Sequence, residues 1–283
     1  MGLIRTLTSE EIADCVARLC IQACTQLPAP VCAFMADARA AETYPPAKET
    51  LDLIAQNAKI AAEEHVPICQ DTGMAVVFAE LGQDVHIEGL TLEDAVNAGV
   101  ARGYTEGWLR KSVVRDPIRR GNTGDNTPAV LHVRLTPGDR LRLTVSPKGF
   151  GSENMSRLAM LTPADGLAGV KAFVLETVRL AGANPCPPMM LGVGLGGTFE
   201  QVALLAKQAL VEMREQPHPD PFYAALEAEL LSDINKLGIG PQGFGGLTTA
   251  LSVRIKAAPT HIAGLPVAVN VGCHVTRHAS ETL

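Results

Sequence analysis

Three of the seven cysteines share a setting that the other four lack. Cys69 lies in ICQDTG, Cys186 in ANPCPPMM and Cys273 in NVGCHVTRH. Each follows an apolar segment and stands where regular structure should break, beside polar or proline-rich neighbours that leave the sulfur accessible. They are more than 80 residues apart, which argues against the paired short spacings of a small structural zinc site. Three thiolates converging from distant loops suit a 4Fe–4S cluster with one iron left unligated by protein. An open iron binds a substrate oxygen as a Lewis acid, whereas a fully ligated cluster mainly transfers electrons. Three unrelated loop cysteines, or a nucleophilic thiol at Cys69, are the alternatives.

The remaining cysteines read differently. Cys15, Cys20 and Cys24 fall in one amphipathic helical pattern, with Cys20 and Cys24 one turn apart on an apolar face, and are expected in its core. Cys32, in PAPVCAF, has no polar company and is expected to be a core cysteine as well. The first residues, MGLIRTLTSEEI, lack the layout of a signal peptide, and no apolar stretch is expected to span a membrane, so the chain reads as cytoplasmic. Seven thiols in that compartment are poor material for disulfides. Twenty-four basic against 30 acidic residues give a net charge of −6 with no basic stripe, which argues against nucleic acid or an anionic membrane as partner.

Elements must position these loops. Thr8-Ser9-Glu10-Glu11 reads as a capping box opening a helix that ends before the prolines at 28 and 30. A second helix follows Pro46, and MAVVFAEL reads as a strand. A capped helix starts at Thr91. AVLHVRL and DRLRLTVSP alternate like antiparallel strands joined by the turn Pro137-Gly138-Asp139. Helical patterns return at GVKAFVLETVRLAG, TFEQVALLAKQALVEM and YAALEAELLSDINKLG, and TTALSVRIKAA and PVAVNVG read as strands. Strands grouped in the middle with helices on either side predict an α+β fold: one domain over 1–283, with a small, mainly antiparallel or mixed central sheet. Residues 1–45 would be a helical extension packed on it. Gly192-Val193-Gly194-Leu195-Gly196-Gly197 matches GxGxxG literally, but Pro185, Pro187 and Pro188 occupy the approach where a dinucleotide fingerprint needs a clean strand. Close packing of the following helix against the Cys186 loop is the more economical use of these glycines.

Seven segments in order resemble the iron–sulfur-dependent class I fumarase and L-tartrate dehydratase family, specifically its α subunit. They are CQDTG, LRKS…DP, RGNTGDNTPAV, SPKGFGSENMS, NPCPP, GIGPQGFGG and GCHVTRHA, and the resemblance runs from about residue 45 to the C-terminus. It implies that Cys69, Cys186 and Cys273 ligate a 4Fe–4S cluster, the same three that their neighbours single out. The stretch Lys148-Gly149-Phe150-Gly151-Ser152-Glu153-Asn154 resembles fumarase α chains more than tartrate dehydratase α chains, with Phe150 departing from the usual triple glycine. The expected reaction is therefore the reversible hydration of fumarate to L-malate. L-tartrate dehydratase, or a mesaconate or citramalate hydro-lyase, is the alternative on the same scaffold.

Adding water across a double bond between two carboxylates needs an acid, a base, and cations or amides for the carboxylates. Asp71, two residues after Cys69, is expected to act as acid/base at the departing hydroxyl; its other reading is an Asx-turn residue closing the loop. Gln70 is expected to donate an amide to a substrate carboxylate. The resemblance promotes Arg110, in WLRKS, to a carboxylate clamp, and Arg120 or Arg119 to similar work. It also makes Gly151 a backbone contact to substrate and His261 a histidine lining the site. His274 is set aside, because adjacent residues on an extended segment point opposite ways. The family's second half is absent from this sequence, so a separate β subunit, a small dicarboxylate substrate and an α2β2 assembly are implied. The chain alone would carry an oxygen-sensitive cluster and turn over little. A non-catalytic iron–sulfur redox or assembly protein, and a cluster-free NAD enzyme, are the rival readings.

Overall fold

The computed structural model describes residues 4–212 and 216–283. In chain order the elements are β1 (Arg5–Thr8), α1 (Ser9–Thr25), α2 (Ala29–Ala41), α3 (Pro45–Glu64), β2 (Met74–Gly82), β3 (Val85–Glu88), α4 (Leu92–Glu106), β4 (Val130–Thr136) and β5 (Leu141–Lys148). They continue as α5 (Phe150–Glu153), β6 (Arg157–Leu161), α6 (Gly166–Ala181), β7 (Met189–Gly196), α7 (Phe199–Val211), α8 (Pro221–Asn235), β8 (Ala250–Ala258), β9 (Leu265–Gly272) and β10 (Ala279–Thr282). The helix expected over 198–213 is α7; its expected last residue, Met213, lies outside the described residues. The α+β expectation holds, with two mixed four-stranded sheets and a parallel β1–β3 pair in place of one sheet. The described residues gather into two compact units. One contains the chain up to Pro28, Ala58–Phe150 and Arg277–Leu283; the other contains Ala29–Asn57 and Gly151–Thr276.

In the first unit the sheet order is β10-β5-β2-β4, with β2 antiparallel to β5 and parallel to β4. The two alternating runs do not form a hairpin, as the sequence pattern suggests; β2 is inserted between them. The turn after Thr136 crosses the end of β2, where Gly82 donates to Arg140 and a Cβ on Gly82 would stand 2.3 Å from the carbonyl oxygen of Gly138. Helix α1 is capped as expected: Thr8 Oγ1 accepts from Glu11 N, while Glu11 accepts from the Thr8 main chain. It packs against α4 at Gly99 and Gly103, where added Cβ atoms would fall 2.6 and 2.8 Å from the carbonyls of Ala13 and Ala17. Cys15, Cys20 and Cys24 are fully buried in the resulting core with Tyr104, Val77 and Leu143.

The stretch Ser9–Ala41 is long and apolar enough by composition to cross a membrane, contrary to the sequence expectation. It is two helices, broken at 26–28. The first is 17 residues long, below the roughly 20 a membrane span requires, and its apolar face is in the core. Pro30 is tolerated in the first turn of α2, where its missing N–H has no intrahelical partner to lose. Val31, Met35 and Ala38 form the buried stripe of α2. Cys32 lies off that stripe and is exposed, so it is not the core cysteine its apolar neighbours suggest.

In the second unit the sheet order is β6-β9-β7-β8, with β7 antiparallel to β9 and parallel to β8. Met189, Leu191, Val193 and Leu195 of β7 join the cluster formed by α6 and α8, while the intervening Gly192 and Gly194 face α7. A Cβ at those two positions would sit 2.1 and 2.2 Å from carbonyls of α7. The glycine run therefore lies within a buried strand and lets a helix rest directly on it. That is not a phosphate-binding turn.

Candidate functional site

Cys69, Gln70 and Asp71 sit in the loop between α3 and β2, in the first unit. Cys69 is half-buried and Gln70 exposed. Main-chain hydrogen bonds hold the loop on α1, with Ile68 N donating to Cys24 O at 3.0 Å. Asp71 closes an Asx turn: Oδ1 accepts from Gly73 N at 3.0 Å, and Oδ2 accepts from Phe150 N at 2.9 Å. Its carboxylate thus joins the CQDTG loop to the segment that follows β5. Gly73 has φ +76°, and a Cβ there would stand 2.7 Å from the Lys148 main chain, so only glycine allows this approach.

The main chain around Asp71 is over-determined by donors. Tyr104 Oη shares its hydrogen between the carbonyls of Thr72 (2.8 Å) and Gly73 (3.1 Å). Burial pushes that phenol well above its ordinary pKa, which keeps it a donor. Asn126, buried, donates to Gly73 O at 3.2 Å and accepts from the main-chain N–H groups of Ser112 (2.7 Å) and Val113 (3.2 Å). Thr72 Oγ1 donates to Arg110 O at 3.0 Å. Arg277, buried, donates through Nη2 to Asp71 O.

Arg110 projects from this scaffold exposed, and among the described residues no carboxylate pairs with it. Arg120 is exposed at φ +62°, likewise without a carboxylate partner among the described residues. Arg119 does balance an acid, lying 3.2 Å from Asp116. The Asp116 carboxyl is held below its usual range, first by the N–H groups of Arg119 and Ile118 and then by that guanidinium.

Cys186 and Cys273 belong to the second unit. Met190 pairs with Gly272, so the residues preceding β7 and those following β9 meet at one end of the sheet. Cys273 opens a turn in which Thr276 donates to its carbonyl from N (3.1 Å) and from Oγ1 (2.7 Å). That turn brings His274 onto the Cys186 loop. His274 N lies 3.3 Å and Nδ1 2.9 Å from Cys186 O. Gln242, at φ +53°, donates to Pro187 O from both N and Nε2 at 2.8 Å. The loop carrying Gln242 is tied down in turn by Glu42. This buried carboxylate accepts from Leu247 N at 2.8 Å and from Thr43 N and Tyr44 N at 3.0 Å.

Elsewhere in this unit, Gly151 is exposed, and a Cβ added to it would meet only Asn184 O, at 3.9 Å. The fold does not require glycine there. Glu153 pairs with Lys207 at 2.5 Å and accepts from Asn270 Nδ2 at 2.8 Å, so the SEN stretch is anchored on α7 and β9. His261 lies in the connection between β8 and β9, exposed, with Nδ1 accepting from Ala263 N at 3.2 Å. Because Gly196 pairs with Ala258, this connection is at the opposite end of the sheet from Cys186 and Cys273. The eight residues of β7 separate them by about 25 Å. The structure does not bring His261 to the cysteines of its own unit.

A thiolate-ligated metal group needs deprotonated sulfur. Burial pushes the thiols of Cys15 and Cys24 up to about 12 and about 11, and that of Cys20 upward as well. Cys69, Cys186 and Cys273 are in no disulfide, and none of them is fully buried. Among the described residues, no three His, Cys, Asp or Glu side chains are already assembled around a metal position. The donor chemistry fits an iron–sulfur group.

The family model described as fumarate hydratase (Fumerase) matches residues 13–282. This chain belongs to that family. It is 40% identical over 278 residues to the putative L(+)-tartrate dehydratase subunit alpha of Methanocaldococcus jannaschii, covering 96% of this chain and 98% of that protein. It is 30% identical over 273 residues to the L(+)-tartrate dehydratase subunit alpha of Escherichia coli strain K12, covering 95% and 90%. The class I fumarate hydratase and tartrate dehydratase α family is one of hydro-lyases, so the chain is of hydro-lyase type. Within this family member, the residues sequence reasoning passed over are mostly those that brace the loops: Thr72, Tyr104, Asn126, Gln242, Arg277 and Glu42. Thr72, Asn126, Gln242 and Arg277 lie inside quoted motifs, but nothing in their spacing marks them as braces.

Proposed function

We propose that this chain is the cluster-bearing α subunit of a cytoplasmic iron–sulfur hydro-lyase. Its two units would work as one domain, completed by a β subunit in an α2β2 assembly. Cys69, Cys186 and Cys273 would hold a 4Fe–4S cluster, which when bound supplies a Lewis-acidic iron for the substrate's hydroxyl. In the dehydration direction Asp71 gives its proton to the departing hydroxyl, and in hydration it takes one back. Arg110 binds a substrate carboxylate through two parallel N–H bonds, Arg120 and Gln70 add donors, and the open space above Gly151 lets substrate reach its main chain. The β subunit provides the base that removes the carbon-bound proton. His261 enters this scheme only as a group that one α chain lends to the site of another.

The observation that carries the reading is the placement of Asp71. It lies two residues from Cys69, and main-chain N–H groups of the CQDTG and KGFGSEN segments hold both its carboxylate oxygens. The KGFGSEN loop favours fumarate and L-malate as the reacting pair. L-tartrate is the second reading, supported by the names of the relatives at 40% and 30% identity. The test is to co-purify the chain anaerobically with its β subunit, reconstitute the pair, and assay fumarate, L-tartrate and mesaconate side by side. The highest kcat/KM on fumarate supports the first reading, and the highest on L-tartrate supports the second. No turnover of any of the three contradicts both.

A further inference from the structure

His274 touches Cys186 through two separate donors. A carbonyl oxygen cannot donate, so the 2.9 Å approach of Nδ1 to Cys186 O places the ring hydrogen on Nδ1. The His274 main-chain N–H donates to the same oxygen at 3.3 Å, filling its second lone pair. Gln242 Nε2 is 3.2 Å from the same ring nitrogen and gives one of its two hydrogens to Pro187 O at 2.8 Å. Two donors do not bond each other, so Gln242 packs the imidazole while securing the next carbonyl along.

The Cys186 loop does not hold its shape cheaply. Cys186 has φ +53°, a conformation that is strained for a non-glycine residue and persists only where surroundings enforce it. Its carbonyl is the group that His274 holds, and the side chain that holds it is adjacent in sequence to Cys273.

Resting on the proposed cluster-bearing role, we propose that His274 is a positioning residue. It latches the Cys186 loop to the Cys273 turn, so that two of the three sulfur donors are held in one arrangement before iron arrives. The Nδ1–H bond is its active feature. A side chain that supplies a donor at that point should serve in its place, and a ring without one should not.

The test compares the wild-type chain with His274→Asn, which keeps an N–H donor near the Nδ1 position, and His274→Phe, which keeps the ring and loses the donor. Amide hydrogen exchange is measured on the cluster-free chain, and the visible and electron paramagnetic spectra and the rate of cluster loss in air on the reconstituted one. For His274→Phe the inference predicts at least tenfold faster exchange over 183–189, an altered spectrum and faster bleaching, with His274→Asn close to wild type in all three. Unchanged exchange and spectrum in His274→Phe overturn it, as does a His274→Asn that behaves like His274→Phe. A wild-type chain that takes up no iron overturns the cluster role, and the latch with it as a device for that role. A wild-type chain that takes up iron while the variants match it overturns the latch alone.

Discussion

Thr72 donates its hydroxyl hydrogen to the main-chain carbonyl of Arg110 at 3.0 Å. The loop bearing Cys69 and Asp71 and the segment bearing Arg110 are thereby fixed to one another inside the first unit, although 38 residues separate them. Replacing Thr72 by Val keeps its shape and removes the bond, which is worth about 1 kcal/mol. In the reconstituted αβ enzyme, Thr72→Val should raise KM for the dicarboxylate about fivefold and change kcat less. An unchanged KM would show that Arg110 is positioned without Thr72.

Asp71 accepts one main-chain N–H on each carboxylate oxygen. An asparagine can keep only one of those bonds and has no proton to give at neutral pH. Asp71→Asn should lower kcat by a factor of about 10² to 10⁴, the usual contribution of a positioned general acid or base. Its iron content should match wild type. Near-full turnover would leave Asp71 as a loop-closing residue and no more.

Glu42 is a buried carboxylate satisfied by three main-chain donors. In Glu42→Gln the amide NH2 must face at least one of those N–H groups, leaving a part-buried donor without its acceptor beside a buried amide. The cost should be about 2 kcal/mol, read as a lower urea midpoint. If the midpoint does not move, the 246–247 segment is held by something other than Glu42.

The α1 thiols set a pH dependence. Burial raises the pKa of Cys15 to about 12 and of Cys24 to about 11, above the roughly 8.5 of an unfolded chain. Their neutral forms favour the folded state, so this contribution is complete below the unfolded pKa and is lost as pH rises from about 8.5 through 11–12. The urea midpoint of the wild-type chain should fall between pH 8 and 10.5, and that of Cys15→Ala/Cys24→Ala should fall less steeply. Parallel curves would mean that other groups govern alkaline unfolding.

Local signals were legible where one physical cause dominates. The capping box at Thr8, the stripe of α1 and the apolar runs of β2, β8 and β9 all depend on near neighbours, and the sequence reads them correctly. Pairing partners do not. The runs at 129–135 and 139–147 look like a hairpin because each alternates, but β2 lies between them, and only the crossing at Gly82 reveals why. The glycines of β7 resembled a phosphate loop because a literal motif does not reveal whether its residues are in a turn or a strand.

At the candidate site, the loops bearing Cys69, Asp71, Cys186 and Cys273 were chosen by their neighbours in sequence. Their braces come from far away: Tyr104 and Asn126 reach back to Gly73, and Glu42 reaches 205 residues to Leu247. An extended segment at 272–276 would turn His274 away from the site. The bond from Thr276 to Cys273 makes that segment a turn, and a turn changes which way adjacent side chains point.

The most direct test of the account is the iron and sulfide content of the anaerobically reconstituted chain, measured for wild type and for single Cys→Ser variants. About four irons and four sulfides per chain are expected in wild type, retained in Cys20→Ser and Cys32→Ser. A marked loss is expected in each of Cys69→Ser, Cys186→Ser and Cys273→Ser. A wild-type chain without iron, or full iron in those last three variants, would contradict the account.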